Sequence, residues 1–140
     1  MRFMMLVIPK GYESAEPNQM PDPEHVKEMM KYNEALQKAG VLLALDGLHP
    51  PSAGFRVTYK DRKPTVTDGP FAEAKECVGG YWMLQLKSRE EAIEWAKRAP
   101  MNDGETIEVR QVHEFEEYTP EVQQAAEGFK EMHEAAQQKT

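Results

Sequence analysis

The sequence predicts an α+β domain in which strands and helices surround one sheet. Three observations lead to this prediction: short apolar runs typical of strands, amphipathic stretches that begin with helix caps, and turns rich in glycine and proline between them. The chain has 140 residues, which suits one domain with a core of its own. The predicted order of elements is β-α-β-(β-hairpin)-β-α-β-α.

The first strand and the first helix differ in their periodicity. Residues 3–8 form a continuous apolar run, which is typical of a strand buried on both faces. Asp22-Pro23 then predicts the start of a helix, because aspartate caps a helix and proline suits its first turn. Apolar residues recur at helical spacing up to Gly40, which ends the helix. Asn33 lies on this apolar stripe and therefore needs hydrogen-bond partners.

The middle of the chain predicts two further strands and an inserted hairpin. Residues 41–45 form a second buried strand. Residues 55–59 alternate between apolar and polar, and residues 65–67 return as their partner strand after a turn. Residues 78–86 predict another strand, in which Gly79-Gly80 marks a bulge or a close backbone approach.

The last third of the chain predicts a helix, a strand and a final helix. Ser88 and Glu91 form a capping box, so a second helix begins there. Residues 106–112 form the last strand, and Thr119-Pro120 caps an amphipathic C-terminal helix.

Without the hairpin and the tail, the order β-α-β-β-α-β is that of the ferredoxin-like split unit. We therefore predict a ferredoxin-like domain at residues 1–118, with a β-hairpin insertion, and a C-terminal helical extension at residues 119–140. Such a sheet carries helices on one face only. Because a second copy of the same sheet can cover the other face, we expect a homodimer with its sheets face to face.

Composition narrows the possible partners and compartments. The net charge is −7, with no Lys/Arg cluster, which argues against nucleic-acid binding. Cys77 is the only cysteine, so an intrachain disulfide is impossible and a reducing compartment is expected. The apolar N-terminus is too short for a membrane span and lacks the layout of a signal peptide. We expect a cytoplasmic protein that binds neither nucleic acid nor membranes.

The sequence contains no motif for a cofactor or a metal. Its four histidines are scattered, without the spacing of His-Glu-x-x-His. Gly79-Gly80 precedes a strand rather than a helix, so it is not a phosphate-binding loop. We therefore expect neither a cofactor nor a metal ion.

The most distinctive motif lies at residues 65–76, Thr-Val-Thr-Asp-Gly-Pro-Phe-Ala-Glu-Ala-Lys-Glu. It resembles the signature of the YCII-related, DGPF-domain family of small bacterial proteins, which usually reads DGPFAETKE; Ala74 stands here in place of the threonine. The resemblance covers most of the chain, including Gly47-Leu48-His49-Pro50 and Gly79-Gly80-Tyr81. It implies a ferredoxin-like dimeric α/β-barrel. The wider superfamily includes lyase-like enzymes thought to use a His-Asp pair, and members often occur with alternative sigma factors.

Asp68, His49 and His25 are the candidate catalytic residues. Asp68 is either a general base or the partner of a histidine, or else a turn residue that caps its own backbone. His49 lies between a strand end and two prolines, as a proton shuttle or as an exposed histidine packed on the prolines. His25 lies in the first turn of helix one, where the resemblance implies the histidine of the pair; the alternative is a surface histidine.

Arg56, Pro70, Phe71 and Tyr81 are the candidate substrate-binding residues. Arg56 either holds an anionic group through two parallel hydrogen bonds or forms a cross-strand ion pair. Tyr81 and Trp82 point to opposite sides of their strand, so we expect one in the core and the other near a helix or pocket. Two functions remain open: a cofactor-free small-molecule lyase or isomerase with an Asp-His pair, and a non-catalytic binding or regulatory protein that partners a sigma factor.

Overall fold

The computed structural model describes residues 1–139. The helices in this part are α1 (Pro23–Lys38), α2 (Arg89–Arg98), α3 (Pro120–Ala125) and α4 (Phe129–Gln137). The strands are β1 (Arg2–Ile8), β2 (Leu42–Gly47), β3 (Phe55–Lys60), β4 (Lys63–Asp68), β5 (Gly80–Gln85) and β6 (Thr106–Gln111). Within the described chain, no helix has the length and apolar character needed to cross a membrane.

The main sheet contains four strands in the order β2-β5-β1-β6, and each neighbouring pair is antiparallel. β5 therefore lies between β1 and β2, although it follows both in the sequence. β3 and β4 form a separate two-stranded sheet. The chain is thus an α+β protein with an open antiparallel sheet, and residues 1–139 form no closed barrel on their own.

The core lies between one face of the main sheet and helices α1 and α2. Its buried residues come from both layers: Phe3, Met5, Tyr32, Leu36, Trp82, Leu84, Leu86, Ala92 and Trp95. Met4 and Leu6 alternate with the core residues of β1 and are only half-buried. The prediction that β1 is buried on both faces is therefore wrong for the single chain, because the helices cover one face only. The prediction that residues 41–45 form a buried strand is also wrong, because β2 lies at the edge of the sheet and Leu43 and Leu45 are exposed.

The helices begin at the predicted caps. The Asp22 carboxylate accepts a hydrogen bond from the Glu24 amide (3.4 Å), and Pro23 is the first residue of α1. The Ser88 hydroxyl accepts a hydrogen bond from the Glu91 amide (3.1 Å) at the start of α2. These side chains satisfy amide groups that have no partner within the helix itself.

The C-terminal region differs from the prediction of one helix. It contains two short helices, α3 and α4, separated at Gly128, whose φ angle is 91°. That angle lies in the left-handed region, which the interior of a right-handed helix excludes. Thr119 caps α3 as predicted, through the Val122 amide (3.4 Å).

Candidate functional site

Two overlapping clefts lie beside α1 at the ends of β2 and β5. Their volumes are about 690 Å³ and about 550 Å³. Six residues line both of them: Val7, Pro21, His25, Met29, Gly47 and Gly79. Because these residues are shared, we treat the two as one continuous depression and call it the α1 cleft.

Two of the sequence-predicted histidines line the α1 cleft. His25 lies in the first turn of α1, is half-buried, and lines both parts of the cleft. The Asp22-Pro23 cap brings it there, because it sets the residue at which the helix begins. His49 is exposed and lines the larger part.

The smaller part of the cleft contains a carboxylate that sequence reasoning did not assign to a site. Asp46 lies near the end of β2, directly opposite Tyr81 on β5. The Tyr81 hydroxyl donates a hydrogen bond to Asp46 Oδ2 at 2.7 Å. This bond, with a smaller contribution from burial, raises the pKa of Tyr81 above its ordinary value. Both residues line the same part of the cleft as His25.

Hydrogen bonds from the core hold the α1 wall of the cleft. Trp82 Nε1 donates to Asn33 Oδ1 at 2.7 Å, which confirms that Asn33 needs a partner on the buried side of α1. The Tyr32 hydroxyl donates to the Trp95 carbonyl at 2.6 Å, and its ring packs edge-on against Trp82. Burial raises the pKa of Tyr32 to about 12. Helix α1 is thus tied to both β5 and α2.

Tyr81 and Trp82 occupy opposite sides of β5, as predicted. Trp82 is in the core, whereas Tyr81 is half-buried and lines the cleft. Among the predicted substrate-binding residues, Tyr81 is therefore the one that lines the same part of the cleft as His25.

The backbone on either side of His49 is held in place. The Leu48 amide donates to the Gly79 carbonyl at 2.9 Å, and the Tyr12 hydroxyl donates to the Leu48 carbonyl. Pro50, on the other side of His49, is buried. An exposed imidazole is therefore carried on a fixed segment at the edge of the cleft.

The signature motif lies at the base of the hairpin rather than in the cleft. Asp68 is the last residue of β4, is exposed, and lines neither part of the α1 cleft. The next residue, Gly69, donates its amide proton to the Gly54 carbonyl at 2.9 Å. A Cβ atom at Gly69 would lie only 1.8 Å from the carbonyl oxygen of Pro51. The motif therefore requires glycine for close backbone packing.

The remaining predicted binding residues accompany Asp68. The Arg56 guanidinium lies over the Phe71 ring, 4.0 Å from its centroid, in a cation–π contact. Phe71 is half-buried and Pro70 is exposed. The predicted site residues thus fall into two groups: His25, His49 and Tyr81 around the cleft, and Arg56, Asp68, Pro70 and Phe71 at the hairpin base.

The described part of the chain offers few groups for metal binding or thiol chemistry. No group of three or more His, Cys, Asp or Glu side chains within residues 1–139 is arranged to hold a metal ion. Cys77 is half-buried, and burial followed by the nearby Glu13 charge raises its pKa. The Cys77 side chain is therefore a thiol rather than a thiolate at neutral pH.

Comparisons with known proteins agree with the resemblance carried by the signature motif. An uncharacterised protein of Rhizobium meliloti (strain 1021) is 28% identical over 76 residues, which are 54% of this chain and 61% of that protein. The chain therefore spans less than two thirds of that relative. The family model of the YCII-related domain matches residues 1–116, which is most of the chain. The protein belongs to the YCII-related domain family.

Proposed function

We propose that the α1 cleft is the active site of a small-molecule enzyme of the lyase or isomerase type that works by acid–base chemistry without a cofactor. One observation carries the proposal: His25 and Asp46 line the same cleft, and the Tyr81 hydroxyl is bound to Asp46. Histidine exchanges protons near neutral pH, and a carboxylate that lines the same cleft can hold a polar group of the substrate.

Each of the three residues has a distinct role in this proposal. His25 removes a proton from the substrate and returns it to the product or to the leaving group. Asp46 has acceptor sites beyond the oxygen that Tyr81 occupies, so it can accept a second hydrogen bond from the substrate. Tyr81 holds the carboxylate in one orientation.

The size and the walls of the cleft suggest the class of substrate. Each of its two parts has a volume within the range of small-molecule sites, and most of the residues that the parts share are apolar. A compound with an apolar body and a polar group next to the reacting carbon suits such a cleft. The exposed His49 and Lys10 lie at the larger end, where an anionic group of the substrate can bind.

Asp68 is structural rather than catalytic in this proposal. Its neighbours Gly69 and Phe71 contact the backbone of the Pro51–Gly54 turn and the Arg56 guanidinium, respectively. The signature motif then acts on the site indirectly, because the turn that it supports follows His49.

The proposal can be tested with four forms of the protein: wild type, His25→Gln, Asp46→Asn and Asp68→Asn. A library of aromatic and carboxylic metabolites is screened by thermal shift, and each stabilising compound is then followed by NMR for turnover. We expect turnover by wild type and by Asp68→Asn, and a loss of about a hundredfold or more in His25→Gln and Asp46→Asn.

Two outcomes would contradict the acid–base assignment. Turnover that is lost in Asp68→Asn but retained in Asp46→Asn would return the catalytic carboxylate to the signature motif. Binding without turnover, with equal affinity in all four proteins, would instead identify a non-catalytic binding protein.

We further propose that the domain is the ferredoxin-like split unit and that two copies pair through their sheets into a dimeric α/β-barrel. The position of β5 between β1 and β2 supports this topology. The sheet face opposite the helices supports the pairing, because Met4, Leu6, Met83 and Ala44, which is paired with Met83, are only half-buried there. Light scattering at micromolar concentration tests it, and a monomer would contradict it.

A further inference from the structure

The β3–β4 hairpin (Phe55–Asp68), here called the arm, extends from the body of the protein. Every residue of both strands is exposed. Four apolar side chains are among them: Phe55 is 67% exposed, Val57 42%, Tyr59 70% and Val66 65%. Large exposed apolar side chains grouped in this way are typical of interaction surfaces.

The strand register sorts the arm into two different faces. Val57 is opposite Val66 and Tyr59 is opposite Pro64, so these side chains share one face with Phe55 and with its partner Asp68 at the base of the arm. We call this the apolar arm face. The other face carries the pairs Arg56–Thr67, Thr58–Thr65 and Lys60–Lys63. A hairpin with this division is built to place one side against a surface and the other in water.

The arm is secured at its base and extends freely beyond it. The Gly69–Gly54 hydrogen bond and the Arg56–Phe71 contact lie at the end nearest the body. At the far end, Asp61 and Arg62 have φ angles of 52° and 64°, as in the two-residue turns that suit twisted hairpins. An isolated two-stranded hairpin is marginally stable in water, so the outer part gains stability by docking.

The charge of the arm is opposite to that of the rest of the chain. Residues 55–68 contain four basic and two acidic side chains, a net charge of +2. Because the whole chain has a net charge of −7, the remainder carries −9. A second copy of the same chain therefore offers an acidic body to this basic arm.

We propose that the arm docks through its apolar face onto a second copy of this chain, whose own arm docks in return. The inference rests on the homodimer proposed above and identifies the arm as one of the elements that hold it together. A two-fold pair is self-complementary, so each contact forms twice. Both arms then bury their apolar faces, and the net positive charge of each arm lies close to the acidic partner.

Two double variants with the same charge change test the proposal by sedimentation equilibrium. Val57→Asp/Val66→Asp places two facing carboxylates on the apolar arm face, and Thr58→Asp/Thr65→Asp places the same pair on the other face. We expect the dimer dissociation constant to rise on the order of a hundredfold in the first variant. In the second variant, we expect it to rise by less than about threefold beyond what the two added negative charges cause by themselves.

A cross-linking experiment provides a readout that does not depend on destabilising the arm. The photoreactive residue p-benzoylphenylalanine replaces Tyr59 on the apolar arm face or, as a control, Thr58 on the other face. Mixed isotopically light and heavy protein distinguishes links within a chain from links between chains. We expect abundant light–heavy links from position 59 and few from position 58.

The outcomes separate the arm from the sheet interface. The arm proposal is overturned if wild type is a dimer, both double variants dimerise as tightly as wild type, and position 59 forms no interchain links. That result would leave the sheet pairing intact. A wild-type monomer overturns both. Turnover in the α1 cleft is measured separately, so its absence does not decide the question of the arm.

Discussion

The signature loop (residues 68–76) and the α1 cleft differ in how their residues are distributed along the sequence. The loop is contiguous in sequence and rich in charge, but its first residue, Asp68, is exposed and lies outside the cleft. The cleft brings together His25, Asp46 and Tyr81, which lie far apart in the sequence and belong to three different elements. The signature loop is thus a region of close backbone packing, and the candidate catalytic residues lie in the α1 cleft.

The two regions are nevertheless connected through one short turn. Gly69 of the loop packs against Pro51 and Gly54, and the same turn begins just after His49 at the cleft edge. Because Gly69 packs against this turn, it also limits the backbone positions open to His49, which precedes the turn. Variants that change packing and charge separately test this difference between the loop and the cleft.

The largest effect is expected from Gly69→Ala. The new Cβ atom would lie 1.8 Å from the Pro51 carbonyl oxygen, so the backbone of the loop or of the turn must move. We expect the free energy of unfolding to fall by about 3 kcal/mol, measured by urea denaturation. Gly54→Ala is the matched control, because its Cβ atom meets the same oxygen at an ordinary 3.6 Å. Equal losses in both variants would remove the packing role of the motif.

The contrast between loop and cleft also explains which parts were predictable from the sequence. Asp22 and Ser88 marked the helix starts because capping is local chemistry. Asp46 was missed because its importance comes from the register between β2 and β5, which pairs it with Tyr81 across a long loop. The division of the C-terminal helix depended on the backbone angle of Gly128, and glycine is compatible with several conformations.

A second effect is expected in the wall of the cleft, from Tyr32→Phe. The variant removes a buried hydroxyl and leaves the Trp95 carbonyl without that donor, so we expect a loss of about 1–2 kcal/mol at neutral pH. The folded pKa of Tyr32, about 12, lies above the ordinary value of 10.0. The stabilisation is therefore complete below the ordinary value and is lost as the pH rises through the folded one.

Urea denaturation at neutral and at alkaline pH checks this prediction. The difference in stability between wild type and Tyr32→Phe should narrow as the pH rises from 10.0 towards about 12. Tyr118→Phe, at an exposed tyrosine, is the control and should change stability little at either pH. A constant difference across this range would show that folding does not raise the pKa of Tyr32.

A smaller effect concerns the contact between Arg56 and Phe71 at the hairpin base. If this contact is part of the packing of the signature loop, the two side chains should be coupled in stability. A double-mutant cycle with Arg56→Met and Phe71→Leu should give a coupling energy of about 0.5–1 kcal/mol. A coupling near zero would free Arg56 for the substrate-binding role that the sequence suggested.

The smallest effect on stability, and the most direct comparison of the two carboxylates, comes from Asp46→Asn and Asp68→Asn. The Asp46 carboxylate raises the pKa of Tyr81, because it accepts the hydroxyl proton and its negative charge opposes a second one on the phenolate. Asp46→Asn should lower the pKa of Tyr81 towards the ordinary tyrosine value of 10.0, and Asp68→Asn should leave it unchanged.

The titration is followed by NMR of protein carrying ¹³C-labelled tyrosine. The stabilisation from the Tyr81–Asp46 bond is present below the ordinary tyrosine pKa and is lost as the pH rises through the raised one, so Asp46→Asn should flatten the alkaline decline of stability. Because Asp68 lies outside the cleft, an effect of Asp68→Asn on the same resonance would mean that loop and cleft are coupled more closely than one shared turn requires.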